Sequence, residues 1–359
     1  MKKSTTLKRN RPTQKRGQTN VTKKINNLRR LPYLALVGMG IFVVLIGTAI
    51  FNFNLTEKPN ANAFTALPIE KFEMKYAGYN PGTAWMSWLS DLQRCSSTEV
   101  IYGAKPTTAG NYPTLVYLHG TTADSNKNKE GQKFIELAAA QGFVALAATY
   151  DSGSSIRERD LNRHAYCMFG DDNQGSLKST ICSHAKVDCS DGILMSGFSQ
   201  GAAIALIAKN YEPSVKALWA IGLSGYIYRN YDVPSDSFAP PLGTRALPND
   251  KLVINMGEAS NIFSKKLAAA DLPSLKQMTG NDCGNEFDCI QANGSGYYVI
   301  KNAEIKDGVA DHCYWLMVNK WSTGMSCTTA PKELDPGFQP PTTTKWSMLT
   351  NLNWLREQL

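Results

Sequence analysis

The amino-acid sequence predicts an α/β fold in which a mostly parallel sheet is covered by helices on both faces. Short apolar runs alternate with segments of helical spacing from about residue 95 to the C-terminus, which is the order that produces a parallel sheet. The runs at 114–118 and 193–195 contain no charged residue, as is typical of strands buried on both faces. A glycine-bounded turn at 197–201 joins one run to an apolar helix at 202–208. Function is then expected at the carboxyl ends of the strands.

The predicted elements alternate along the chain. Strands are predicted at 99–102, 114–118, 143–150, 193–195, 215–223, 251–256 and 297–300. Helices are predicted at 127–141, 173–185, 202–208 and 346–359. The segment 224–249 is rich in Pro, Gly and Tyr, so we expect a cap or a long loop over the functional site there.

The N-terminal tail accounts for the positive charge of the chain. Eleven of the 38 Lys and Arg residues lie in residues 1–30, which contain no Asp or Glu. The formal net charge is +8, but the chain after the tail carries 27 basic and 30 acidic residues. A mildly acidic globular part argues against nucleic-acid binding. The tail is expected to be a cytoplasmic topology signal with some affinity for anionic lipid.

Residues 31–53 form an uncharged apolar segment of 23 residues, and about 20 suffice to cross a bilayer. Because the basic tail precedes this segment, we predict a single-pass transmembrane signal anchor with the rest of the chain in the periplasm or at the cell surface. Secretion after cleavage near Ala63 is the alternative, although the basic and apolar regions are long for a signal peptide. Residues 54–75 are predicted to be a polar linker, followed by a domain at 76–359.

The cysteines agree with export. All eight follow the apolar segment, and an even number on the exported side of a membrane indicates disulfide bonds. Sequence alone does not fix the pairing among about 105 possibilities. The short separations favour Cys182–Cys189 and Cys283–Cys289, and the pairs Cys313–Cys327 and Cys95–Cys167 are the weakest part of the prediction. No C-x-x-C or H-x-x-x-H pair occurs, so no metal site is expected.

The turn at 197–201, Gly-Phe-Ser-Gln-Gly, matches the pattern G-x-S-x-G. Its two glycines remove Cβ atoms where strand and helix cross closely, which leaves Ser199 on a strained turn with an exposed hydroxyl. The following helix points its N-terminus at the serine, so an oxyanion formed there would meet a backbone N–H group and a favourable dipole. A structural serine in a tight turn is the alternative interpretation, but the flanking strand and helix favour the catalytic one.

A nucleophilic serine needs a histidine that accepts its proton and a carboxylate that orients the histidine. The chain has four histidines. His119 ends a predicted strand and is expected to shape a backbone turn, while His164 and His184 precede the serine in loop and helix segments. His312 follows the last predicted strand and lies well beyond Ser199. The chain order serine, acid, histidine therefore favours His312 as the base.

These residues resemble the α/β-hydrolases. Gly-Phe-Ser-Gln-Gly is the form of the turn found in carboxylesterase, dienelactone-hydrolase and acyl-thioesterase relatives, and the likeness covers roughly residues 95–359. The resemblance implies that Ser199 is the nucleophile and His312 the base. It further implies an oxyanion hole formed by the backbone N–H groups of Thr121 and Gln200. Neither an organic cofactor nor a metal is implied.

The triad carboxylate is where the sequence departs from the family. Relatives commonly place an Asp about three residues past a Gly after the strand at 251–256, and that position is Ser260 here. Glu258 is the nearest carboxylate and the first candidate, with a solvated loop residue as the alternative interpretation. Asp311 is disfavoured because adjacent side chains in an extended loop point apart. The other candidates are Asp271, Asp282, Asp288 and Asp232.

These features predict a membrane-anchored serine hydrolase that cleaves carboxylic esters through an acyl-enzyme intermediate outside the cytoplasm. The expected partner is an ester-containing small molecule or a lipid, in addition to the membrane itself. A non-catalytic binding protein with the same fold is the alternative, because the expected acid is missing. An acyltransferase or a peptidase would use the same Ser–His pair.

Overall fold

The computed structural model describes residues 66–80, 95–121, 129–152, 160–170, 175–223, 251–258, 271–316 and 334–359. The predicted basic tail, the anchor and the cap lie outside these residues, at 1–30, 31–53 and 224–249. Within the described part of the chain, no helix combines the length and hydropathy needed to cross a bilayer.

Nine strands of the described residues form one mixed sheet. They are β1 Ile69–Tyr79, β2 Cys95–Pro106, β3 Thr114–Leu118, β4 Val144–Ala148, β5 Ile193–Phe198, β6 Val215–Ile221, β7 Leu252–Gly257, β8 Asp288–Ile290 and β9 Gly296–Ile300. The spatial order is β1-β2-β4-β3-β5-β6-β7-β9-β8. The six neighbouring strands in the centre of this order, β4-β3-β5-β6-β7-β9, pair in parallel. The outer strands β1, β2 and β8 pair antiparallel to their neighbours.

Helices cover both faces of this sheet, as predicted. They are α1 Lys129–Ala140, α2 Leu161–Phe169, α3 Leu177–Cys182, α4 Gln200–Tyr211, α5 Asp271–Thr279 and α6 Met348–Arg356. Successive side chains of a strand point to opposite faces. Val116 of β3 accordingly packs in a core with α2, α3, α4 and α5, while Tyr117 packs in a second core with α1 and α6. The α/β class is therefore confirmed.

The start of the domain differs from the prediction. Residues 69–75, assigned to the linker from sequence, form the first part of β1. Each of them pairs with a residue of β2. Met74 and Tyr76 are buried there, so the domain begins before residue 76. The missed signal is the alternation of Phe72, Met74 and Tyr76 with charged residues, which is typical of a strand with one buried face.

Three further elements were not predicted. Helix α2 begins after Asp160, whose side chain accepts a hydrogen bond from the Arg163 N–H at 3.1 Å, and it contains His164, which the sequence placed in a loop. The helix predicted at 173–185 is shorter in the structure, where α3 spans Leu177–Cys182. The short edge strand β8 and helix α5 lie between the strands predicted at 251–256 and 297–300.

Three of the predicted disulfides are present. They are Cys95–Cys167, Cys182–Cys189 and Cys283–Cys289. Cys313 is disulfide-bonded as well, and its predicted partner, Cys327, lies outside the described residues. The described cysteines are all oxidised, which agrees with a protein that folds outside the cytoplasm.

Candidate active site

Ser199 lies between β5 and α4 in a backbone conformation that is rare for a residue with a side chain. Its φ is 53° and its ψ is −115°, and it is the one non-glycine residue with positive φ in the described chain. A Cβ at Gly197 would approach the Gly201 carbonyl carbon to 2.6 Å, and a Cβ at Gly201 would overlap the Leu118 carbonyl. Glycine is therefore required at both positions, and the serine is held on a strained turn between them.

The structure brings Ser199 and His312 together across 113 residues of sequence. The distance between Ser199 Oγ and His312 Nε2 is 2.8 Å, within the range of a hydrogen bond. Ser199 is 8% exposed and His312 5% exposed. The pair is thus largely shielded from water, but the serine is still partly accessible.

The loop that carries His312 follows β9 and is held by its own backbone contacts. The Ala310 N–H donates to Asn302 Oδ1 at 2.7 Å, and the Cys313 N–H donates to Asp311 Oδ1 at 2.7 Å. Cys313 is also fixed by its disulfide. These contacts on both sides of His312 orient the imidazole toward the serine.

Burial controls the protonation of His312. Burial lowers the pKa of His312 to about 4, because an imidazolium ion loses its hydration there. The Phe198 ring lies 4.9 Å from the imidazole between ring centroids, and the Trp315 ring lies 5.3 Å from that of Phe198. In these apolar surroundings the imidazole is neutral near pH 7 and can accept a proton at Nε2.

No described residue fills the place of the triad acid. His312 Nδ1 is buried and has no hydrogen-bond partner within the described part of the chain. Glu258, the first candidate from sequence, is half-buried at the end of β7, and its backbone N–H bonds to the Ile300 carbonyl at 2.8 Å. No hydrogen bond joins its carboxylate to His312 Nδ1.

Three of the other candidate carboxylates lie among the described residues, and none of them bonds to His312 Nδ1. Asp282 forms an ion pair with Lys276 at 2.6 Å, and Asp288 is an exposed residue of β8. Asp311 accepts the Cys313 N–H instead of an imidazole proton, and burial raises its pKa to about 6. Two candidates cannot be placed, since Asp232 and the side chain of Asp271 lie outside the described residues.

The turn after β3, residues 119–121, lies beside the serine and is held by hydrogen bonds. His119 Nδ1 lies 2.6 Å from the Gly120 carbonyl and Nε2 lies 3.3 Å from the Tyr150 N–H. Since a carbonyl only accepts and an N–H only donates, His119 is the neutral tautomer with its proton on Nδ1. The Tyr150 hydroxyl donates to the His119 carbonyl. The structural role expected for His119 agrees with these contacts.

Thr121 and Gln200 meet at this turn. Gln200 is the first residue of α4 and its side chain is fully buried. The Thr121 hydroxyl donates to Gln200 Oε1 at 2.9 Å. The two residues whose backbone N–H groups were expected to form an oxyanion hole are thus adjacent to each other and to Ser199.

Sequence reasoning missed the contribution of Phe198. Its ring contacts both His312 and Trp315, and a Cβ at Gly120 would lie 2.7 Å from it. Phe198 occupies a position of the G-x-S-x-G motif that any residue can hold, so the motif gave no signal for this contact. The available signal was the glycine at position 120, which leaves room for a neighbouring ring.

A separate cavity lies away from the serine. It has a volume of about 490 Å³ and is lined by Thr114 and Gly192 at the amino ends of β3 and β5, and by Arg356. Ser199 lies beyond the opposite, carboxyl ends of these strands. This cavity is therefore distinct from the Ser–His pair. In the described residues, no group of three His, Cys, Asp or Glu side chains could hold a metal ion.

Comparison with known proteins adds little to this geometry. No protein-family model matches the chain, and no curated protein matches it. A solved structure from Klebsiella pneumoniae subsp. pneumoniae, described as "Putative Dienelactone Hydrolase", is similar with a TM-score of 0.39 and 12% identity, covering 65% of this chain and 85% of the other. A similarity this low does not indicate the function of the chain. The mixed sheet, the turn at Ser199 and the turn after β3 by themselves agree with an α/β-hydrolase-like fold.

Proposed function

We propose that this protein is a serine hydrolase that cleaves carboxylic esters through an acyl-enzyme intermediate. The observation that carries the proposal is the 2.8 Å distance between Ser199 Oγ and His312 Nε2 at the strained turn. A serine hydroxyl is a weak nucleophile unless a base takes its proton as the oxygen attacks. The buried neutral imidazole is in position to do so. The substrate is an ester-containing small molecule or a lipid.

The chemistry follows from the two side chains. Ser199 Oγ attacks the ester carbonyl while its proton passes to His312 Nε2, and the carbonyl oxygen becomes an oxyanion beside the N-terminus of α4. The C–O bond of the ester then breaks, and His312 gives its proton to the departing alcohol. Water next loses a proton to His312 and attacks the acyl group. Release of the carboxylic acid returns the proton to Ser199.

The backbone N–H groups of Gln200 and Thr121 are the proposed donors to the oxyanion. The first N–H groups of a helix have no partner within the helix, and Gln200 is the first residue of α4. Thr121 lies on the turn that follows β3, from which this class of site draws its second donor. Both are held next to Ser199 by the contacts described above.

We place the reaction outside the cytoplasm, with the chain anchored by residues 31–53. The disulfides support this location, because such bonds persist in oxidising compartments. Protease added to intact cells should degrade the domain but not the basic tail at 1–30, and the protein should stay with the membrane fraction. A soluble product that begins near Ala63 would show cleavage instead of anchoring.

The test is ester turnover by the full-length chain produced in an oxidising compartment. A series of p-nitrophenyl esters of rising acyl length is compared for the parent, Ser199→Ala and His312→Ala. Each substitution should lower kcat by a factor of roughly 10⁴ or more, since the two groups act as a unit. Ser183→Ala, which removes an exposed hydroxyl that donates to the Thr180 carbonyl of its own helix turn, should match the parent. Undiminished turnover by Ser199→Ala would contradict the proposal.

A non-catalytic binding protein is the second candidate. It is favoured by His312 Nδ1, which lacks a carboxylate partner within the described residues. A folded parent that turns over no ester would favour it. Product analysis with added alcohols or amines separates hydrolysis from acyl transfer, because a transferase would yield new esters or amides in place of the free acid.

A further inference from the structure

We propose that the Thr121 hydroxyl and the Gln200 carboxamide form a clamp that sets the geometry of the oxyanion hole. This inference deepens the proposed function and rests on it. The two residues are 79 positions apart and are joined by one hydrogen bond of 2.9 Å, from Thr121 Oγ1 to Gln200 Oε1. Each residue also carries one of the two backbone N–H groups proposed to hold the oxyanion. The side-chain contact therefore joins the two residues that carry the proposed donors.

The clamp lies where the sheet no longer holds the two segments together. The pairing of β3 with β5 ends at Leu118 opposite Gly197. Beyond these residues the two chains separate, one into the turn at 119–121 and the other into Ser199 and α4. Contacts other than strand pairing must then fix the distance between Thr121 and Gln200, and the hydroxyl–carboxamide bond is such a contact.

The turn is fixed at its start by other groups. The Tyr150 hydroxyl donates to the His119 carbonyl, and His119 Nδ1 donates to the Gly120 carbonyl. These bonds orient the first two peptide groups of the turn. Thr121 itself is exposed, whereas Gln200 is fully buried. The clamp thus ties the exposed end of the turn to a side chain that the core holds in place.

The direction of the bond assigns the roles. A carboxamide oxygen only accepts, so the Thr121 hydroxyl donates its proton to Gln200 Oε1. Thr121 and Gln200 therefore act here as positioning residues through their side chains. Oxyanion-hole donors must lie about 2.7–3.1 Å from the oxyanion, and a displacement of about 1 Å can cost a large factor in rate. Loss of the clamp should affect the transition state more than the bound ester.

The experiment is a double-mutant cycle in the full-length protein. Thr121→Val keeps the shape of the side chain without its hydroxyl, and Gln200→Met keeps the length without the acceptor. Each should lower kcat about tenfold, less than the loss of a whole donor, with KM within about twofold. The double variant should be no slower than the slower single variant. Thr121→Ser should restore most of the kcat lost in Thr121→Val.

A transition-state analogue gives a second readout. The affinity for a trifluoromethyl ketone, which forms a tetrahedral adduct with the serine, should fall by the same factor as kcat in each variant. The control is Thr108→Val, which removes a hydroxyl 2.7 Å from the Tyr112 hydroxyl at the other end of β3 and should leave both quantities unchanged. A change that merely loosened the fold would raise KM or lower the melting temperature without following this relation.

The outcomes separate the clamp from the proposed function. An active parent with a Thr121→Val variant of equal kcat would overturn the clamp alone. Additive losses in the double variant would also overturn it, because they would mean that the hydroxyl and the carboxamide act independently. A folded parent without ester turnover would overturn the proposed function, and the clamp with it.

Discussion

The burial of His312 decides how this site responds to pH. An exposed histidine has a pKa of about 6.5, whereas burial lowers the pKa of His312 to about 4. The imidazole sits beside the Phe198 ring, which offers no compensation for the lost hydration. The base is therefore neutral, and able to accept a proton, over most of the acidic range.

The first prediction concerns the acidic limb of the pH profile. kcat/KM should rise with pH around pH 4 and be constant from about pH 6 to 8, because only the neutral form of His312 can act as the base. The measurement is a rate profile with an ester whose leaving group does not titrate in this range. An inflection at pH 6.5 or above would contradict it and would indicate a carboxylate beside Nδ1 that stabilises the imidazolium.

The second prediction concerns the acid. Glu258→Gln should change kcat by less than about twofold, because His312 Nδ1 has no hydrogen bond to this or any other described residue. The kcat of Glu258→Gln should be compared with that of Asp232→Asn, since Asp232 follows β6 in sequence and is another candidate for the triad acid. A loss of 100-fold or more in Glu258→Gln alone would show that its carboxylate does reach the imidazole during turnover.

Ser199 and His312 could be chosen from sequence because their signals are local or ordered along the chain. The glycine spacing around Ser199 and the place of His312 after the last strand are visible without coordinates. The bond between Thr121 and Gln200 is not, because it depends on how two turns meet across 79 residues. Glu258 was chosen for its closeness in sequence to an expected position, and closeness in sequence does not fix the direction of a side chain.

At the scale of elements, the turn between β5 and α4 is what places the serine. The helix can begin immediately after Ser199 because Gly201 allows α4 to approach the end of β3. The approach is close enough that a methyl group at Gly201 would overlap the carbonyls of Leu118 and His119. The same contact fixes the N-terminus of α4 beside the turn at 119–121.

The third prediction follows from this contact. Gly201→Ala should lower the free energy of unfolding by about 3 kcal/mol, since backbone atoms must move to admit the methyl group, and should lower kcat more than tenfold. Denaturant unfolding and ester turnover measure the two effects. Gly284→Ala is the matched control: its φ is +64° but nothing lies within 4 Å of the added Cβ. It should cost about 1 kcal/mol and leave kcat unchanged. Equal behaviour of the two variants would contradict the prediction.

The elements that sequence predicted well are those buried on both faces. β3 matches its predicted range of 114–118, because a five-residue apolar run with Thr, Val and Tyr has the length and composition of a buried strand. β1 was missed because only one of its faces is buried, so polar residues alternate with Phe72, Met74 and Tyr76 and resemble a linker in composition. β8 has three residues and an exposed, buried, exposed pattern, which is too short for a periodic signal.

For the whole molecule, the disulfides connect parts that are distant in sequence. Cys95 begins β2 at the antiparallel side of the sheet, and Cys167 lies in α2, at a sequence separation of 72. The sequence separation of Cys182 and Cys189 is only 7. A cross-link restricts the unfolded chain more when it closes a longer loop.

The fourth prediction compares these two bonds. Replacing Cys95 and Cys167 by serine should lower the free energy of unfolding by about 4 kcal/mol, and replacing Cys182 and Cys189 by about 2 kcal/mol. Denaturant unfolding of the oxidised proteins measures both. An equal or reversed order would contradict the loop-length account, and a full-length protein that folds equally well when reduced would argue against an oxidising compartment.

The parallel centre of the sheet brings the ends of β3, β5 and β9 to one edge, and each strand delivers one part of the site. The turn at 119–121 follows β3, Ser199 follows β5, and the loop with His312 follows β9. This arrangement leads to the central claim, that Ser199 is a nucleophile activated by His312.

The most direct measurement of that claim is mass spectrometry of the full-length protein after exposure to a fluorophosphonate probe. The account predicts one adduct, located by peptide mapping on Ser199, with no adduct in Ser199→Ala and a labelling rate at least 100-fold lower in His312→Ala. An adduct on another residue, or equal labelling of the parent and the His312→Ala variant, would contradict it.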